Sequence, residues 1–281
     1  MFRFTVAVIF CSIFPVFGFA REGPPPSLRQ LVLESEIIAF VEVTAVTDWK
    51  HRKDVGFPPS SKSKYDHSRQ PELSKSALNR LGGDIARLKI KSVIKGEVSK
   101  DQELFVYFNS RHICPKPPRY CLSETALVFL RWVPDTGTWV ASYGSHGVRE
   151  MNDEQSRRTW KKAIDALCIV LAERDTERQL QQLTEWYVGC LEDESLRIEA
   201  AIDLADQDLR HPIRWPKEEE LPGHLREAFH RRRIILALTS EQIRRIENVS
   251  SKIEDDSIEK SAMKNLINII GAVRSENLTR D

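Results

Sequence analysis

Residues 84–110 read DIARLKIKSVIKGEVSKDQELFVYFNS, and this stretch decides the fold. Ala86, Leu88 and Ile90 alternate with Arg87, Lys89 and Lys91, the period of two expected of a half-buried strand. The phase breaks at Ser92, because Val93 stands an odd number of residues from Ile90, and one extra residue in a strand is the mark of a β-bulge. Lys95-Gly96 then turns the chain. In the next strand Leu104, Val106 and Phe108 share one face while Phe105 and Tyr107 occupy the other, and apolar side chains on both faces predict a central position.

Three further strands are predicted on either side of this pair. Residues 36–46, EIIAFVEVTAV, form the first core strand. Residues 125–133 (TALVFLRWV) and 138–143 (TWVASY) form a hairpin through Pro134-Asp135-Thr136-Gly137, whose Pro, Asp and Gly are turn chemistry. The long connection at 47–83 is rich in Lys, Ser, Pro and Asp and poor in apolar residues, so it reads as a flexible insertion or a binding loop. Five strands with a long first connection, a bulged strand and no crossover helices predict an OB-type Greek-key β-barrel over 36–149. A Pro-rich lead-in and short helix at 21–35 precede it.

At Met151 the hydrophobic period changes from two to 3.6, which predicts an all-helical domain over 151–281 and an α+β chain overall. Trp160, Ala163, Ile164, Leu167 and Leu171 make one stripe, capped by Asn152 or Asp153. Leu180, Leu183, Tyr187 and Leu191 make a second. Leu196, Ile198, Ala201, Ile202 and Ala205 make a third, and helices over 225–238, 240–249 and 258–273 complete the domain. The unit LQQLTEWYVGCLEDESLRIEAAIDLAD resembles a HEAT-class helical repeat, with an irregular bundle as the alternative.

Residues 1–20 have the parts of a secretory signal peptide: Arg3, an uncharged apolar run, and Gly18 and Ala20 three and one positions before the cut. The run is short of the roughly 20 apolar residues a membrane helix needs, so no integral span is expected after cleavage. The expected location is secreted or periplasmic. Loss of Arg3 takes the formal net charge from +1 to 0, which argues against a nucleic-acid partner. Of the five cysteines, Cys11 leaves with the signal peptide. Cys114 and Cys121 bracket a Pro-stiffened loop, CPKPPRYC, and are expected to form a disulfide in an exported chain. Cys168 and Cys190 stand too far apart along a helical hairpin to bridge and are expected to be buried thiols.

The first part of the chain, over residues 28–147, resembles the netrin-like OB domains and, among them, the tissue inhibitors of metalloproteinases. The residues that carry the resemblance are SEIIAFVEVTAV, the long insertion, ARLKIKSVIKGE with its lysine-glycine ending, ELFVYF, Cys114 and ETALVFL. The resemblance implies a partner-contacting role for the first inter-strand loop, with Trp49, Phe57 and Tyr65 as apolar anchors. It does not carry over metalloprotease inhibition, because that depends on a mature N-terminal Cys-x-Cys and this chain begins Arg21-Glu22-Gly23 after the expected cut.

No catalytic, cofactor or metal signature emerges. Ser145 and His146 are adjacent, a poor arrangement for a nucleophile and its base. His224 and His230 lie six apart, which puts them on different faces of a helix. The acidic runs at 192–194 and 218–220 read as solvated segments, and Arg231-Arg232-Arg233 with Arg226 as a basic patch able to meet an acidic partner. Asn248 and Asn277 begin glycosylation sequons. The expected function is a non-enzymatic, exported protein-binding module. The alternatives are a hydrolase with a site between the domains, and a saccharide-binding module using Trp132 and Trp139.

Overall fold

The structure, a computed structural model, describes residues 26–56, 83–110, 117–133, 137–151, 153–205 and 223–278. Strand β1 (Ile37–Asp48) pairs antiparallel with β2 (Asp84–Lys95), and β2 with β3 (Glu103–Phe108). β4 (Thr125–Val133) pairs with β5 (Thr138–Ala141), which lies parallel to β3, and β4 also pairs with β1. These pairings close a five-stranded OB-type barrel, with the short β6 (Val148–Glu150) added along β4. β1 runs two residues beyond its expected end, and a 3-10 helix (Trp49–Val55) follows it where irregular loop was expected. The rest of the long connection, 57–82, lies outside the described residues.

The bulge expected in β2 is present. Val41 pairs with Ile90 and Phe40 with Ser92, so Lys91 is the extra residue, and a second register shift makes Ile94 another. The strand ends at Gly96, whose φ of +105° is left-handed; a Cβ there would sit 2.5 Å from the carbonyl oxygen of Glu36. Only glycine fits this close approach without moving the backbone. Lys95 beside it donates to the carbonyl of Val32 at 2.6 Å, in the last turn of helix α1 (Leu28–Glu34). The lysine-glycine pair thus closes a strand and caps a helix at one point.

Alternation on the strands separates two apolar clusters. Ile37, Ala39, Val41, Leu88, Ile90, Val106, Val128 and Leu130 fill the barrel. Ile38, Phe40, Leu127 and Phe129 point the other way and belong to a single cluster with α1 and the helices that follow the barrel. The first of these, α2 (Glu154–Ala172), begins at Asp153, which accepts from the Ser156 N–H as N-cap, and lays Trp160, Ala163, Ile164 and Leu167 into that cluster. Then come α3 (Thr176–Glu192), α4 (Arg197–Leu204), α5 (Gly223–Ala237), α6 (Ser240–Ser251) and α7 (Ile258–Leu278). α6 opens on a reciprocal capping box between Thr239 and Gln242. Barrel and helices therefore share a core.

The third helical stripe differs from expectation. Leu196, Ala201 and Ala205 are buried as expected, but Ile198 and Ile202 are exposed, and Ala200, Asp203 and Leu204 are buried in their place. The buried side of α4 thus carries Asp203, 5 % exposed and paired with Arg231, beside its apolar residues.

Candidate functional site

The two parts of the chain leave a cleft of about 380 Å³ where β2 passes the first turns of α2. Phe40, Lys91, Ser92, Thr125, Glu154, Arg157, Arg158 and Lys161 line it. Each side chain is there for a local reason. Lys91 is the bulged residue, and a bulge re-aims the side chain it adds. Arg157, Arg158 and Lys161 fall within the first turns of a helix, where i, i+3 and i+4 residues share one side. Phe40, 4 % exposed, is the outer-face residue of β1 beneath them.

The lining is electrostatically unbalanced, with four cations against one carboxylate. Glu154 accepts from Arg157 at 2.8 Å and from Arg158 at 3.2 Å, and these bonds hold its carboxyl below the ordinary carboxylate range. Arg157 also donates to the Met151 carbonyl at 3.1 Å, which ties it to the strand-to-helix junction. The counter-ions of the two lysines stand outside the lining: Lys161 donates to Asp165 at 2.6 Å, and Lys91 pairs with Glu42, whose carboxyl the Lys91 hydrogen bond lowers. All these pairs except that of Arg157 are at least one-third exposed, and exposed pairs contribute about 0–1 kcal/mol each. Comparisons with protein-family models, curated proteins and solved structures give no match, so the chemistry of this cleft rests on its own geometry.

The residues expected from sequence to meet a partner are not at this cleft. Trp49 is 5 % exposed, packed edge-on against Tyr107 at 5.5 Å and covered by the Arg52 guanidinium at 4.7 Å. It anchors the 3-10 helix to the outer face of β2 and β3 and presents no contact surface in this conformation. Phe57 and Tyr65 lie outside the described residues, as do Cys114 and the acidic run at 218–220. Cys121, expected to bridge Cys114, is instead an exposed free thiol; Cys168 and Cys190 are free as expected, Cys190 buried and thereby raised to about 12, Cys168 half-buried rather than buried. The Ser145 and His146 pair lies on a 3-10 turn (Gly144–Gly147) leaving the barrel, and Arg149 donates to the carbonyl of His146 there.

The basic patch at 231–233 changes meaning. Arg231 and Arg232 are 3 % and 6 % exposed, and they pair with Asp203 at 3.1 Å and Glu276 at 3.0 Å. They are structural cations rather than a surface for an acidic partner. Asp203 further accepts from the Tyr187 hydroxyl at 2.8 Å and from the Leu28 backbone N–H at 3.0 Å. Burial nevertheless pushes its carboxyl up to about 6, against the pull of Arg231 and Tyr187. With Arg29 donating to Glu227 at 2.7 Å, this network fixes the first turn of α1 to the helices. Sequence reasoning missed it because Asp203, Tyr187 and Arg231 are far apart in the chain. The one local signal was an aspartate beside the apolar stripe of α4.

Among the described residues there is no group of three His, Cys, Asp or Glu suited to hold a metal ion, and no helix is long and apolar enough to cross a membrane.

Proposed function

We propose that this chain is an exported, non-enzymatic binding module that meets a partner protein at the cleft between its OB-type barrel and α2. The observation that supports it is the lining itself: four half-exposed or exposed cations over an aromatic floor, held by the shared core beneath. OB barrels bind through one sheet face and its adjoining loops, and a rigid neighbour that narrows this face adds specificity. The resemblance to netrin-like domains belongs to this proposal, as does export, which rests on residues 1–20 alone.

The alternatives have less to support them. A hydrolase using Glu154, the carboxyl of the cleft lining, as general acid would need it protonated, whereas Arg157 and Arg158 hold its carboxyl below the ordinary carboxylate range. A saccharide platform would need a flat exposed ring. Trp132 and Trp139 pack edge-to-face at 5.3 Å, and Trp139 is 8 % exposed.

Site-specific photo-crosslinking in the exported fraction tests the proposal. A crosslinker replacing exposed Arg158 should trap one defined protein band, and the same group replacing exposed Lys252, at the α6–α7 turn, should not. Equal labelling from both positions, or from neither, overturns the assignment of the cleft. His146→Ala supplies the second arm: loss of a hydrolytic activity detected in the wild-type chain would favour the enzyme.

A further inference from the structure

Resting on that reading of the cleft, we propose that it recognises an acidic peptide segment of the partner, binding side-chain carboxylates with Lys91, Arg158 and Lys161 while Arg157 holds the frame. The division of labour follows from the bonds each cation makes. Arg157 is committed twice, to Glu154 and to the Met151 carbonyl, and its side chain is 28 % exposed. It is a positioning residue. Lys91, Arg158 and Lys161 are 43 %, 74 % and 44 % exposed, and each pairs with a carboxylate that an incoming carboxylate can replace.

Replacement rather than addition keeps the desolvation cost low, because the cations already lie at the surface and lose little further water. The carboxylates displaced, those of Glu42, Glu154 and Asp165, are themselves exposed or half-exposed and return to solvent. What the peptide adds is geometry. Lys91 on β2 and Lys161 on α2 approach from opposite walls, so two or three carboxylates spaced along an extended segment meet cations on both sides at once. An isolated anion meets one wall only.

The same surface disfavours a nucleic acid. Outside the lining, Asp101 in the β2–β3 turn and Glu103 on β3 pair with Lys89 and Arg87 of β2. A phosphate backbone continuing past the cleft would run over these carboxylates, and the whole chain carries a net charge of only +1. A short acidic stretch ends where the cations end.

The test measures fluorescence anisotropy of a labelled poly-glutamate peptide with the full chain at low and at physiological salt. The expected result is binding that weakens with salt and falls by about tenfold or more in Lys91→Glu/Lys161→Glu, while Lys264→Glu on α7 leaves it unchanged. Arg158→Glu, at the most exposed of the three positions, should fall in the same direction without disturbing the fold. Equal affinity in wild type and both cleft variants overturns the proposal. So does an oligonucleotide of matched charge that binds as tightly and through the same residues. Failure of the poly-glutamate probe together with a specific crosslink from position 158 sinks the acidic chemistry and leaves the binding-module reading standing. Poly-glutamate binding at the cleft with no partner crosslink supports the chemistry and sinks the module.

Discussion

Cutting the chain at the change of hydrophobic period separates elements that share a core, and the cost follows from the buried side chains. A fragment of residues 36–150, without α1 or the later helices, would expose Ile38, Phe40, Leu127 and Phe129, each now at most 4 % exposed in the cluster they share with those helices. Uncovering a large apolar side chain costs about 1.5–3 kcal/mol, so these four lose about 6–12 kcal/mol together. The stability of a whole domain is only about 5–15 kcal/mol. The barrel fragment should therefore lack a cooperative melt, bind a hydrophobic dye and associate, although its interior cluster is complete. In the intact chain, Trp160→Ala removes the 6 % exposed tryptophan of α2 and should cost about 3–5 kcal/mol while keeping one transition. Circular dichroism melts and analytical ultracentrifugation read both. A monomeric 36–150 fragment that melts cooperatively would refute the argument, because it would show the outer face of β1 and β4 tolerating water.

Asp203 should give stability an acid-favouring component. Its folded value, about 6, lies above the ordinary 3.8, so its contribution is complete below the lower value and is lost as pH rises through the higher, about 3 kcal/mol in all. The difference in urea unfolding free energy between wild type and Asp203→Asn should change by that amount across the window, and a constant difference would defeat the prediction. The thiols should separate by exposure: under reducing conditions Cys121 labels in the native chain, and Cys190, buried and raised to about 12, labels only on unfolding. Because Cys121 is a free thiol in the structure, a non-reduced digest should recover it unbridged, and a Cys114–Cys121 peptide would restore the disulfide expected from sequence.

Periodicity alone determined a good deal here. The two-residue alternation in 84–110, its slip at Ser92 and the turn at Lys95-Gly96 marked the bulged strand, because a strand records its inner and outer faces directly in its residue order. The switch at Met151 marked the helices, and Asp153, one of the two caps offered for the first, marked its start, because an N-cap is a bond between near neighbours. The OB-type order followed from strand count and connection lengths. What only the tertiary structure decided involves residues distant in the chain. The outer-face residues Ile38 and Phe129 share one buried cluster with Trp160 of α2, which joins two segments that the change of period had divided. Asp203 joins the buried side of α4 with its charge matched, because a buried carboxylate needs a partner, and that partner, Arg231, comes from another helix. The cleft has the same origin: Lys91 is an ordinary outward lysine in sequence and becomes one wall of a site only because a bulge turns it towards α2. Local bonds are written in residue order, whereas burial and charge pairing depend on which surfaces the fold brings together.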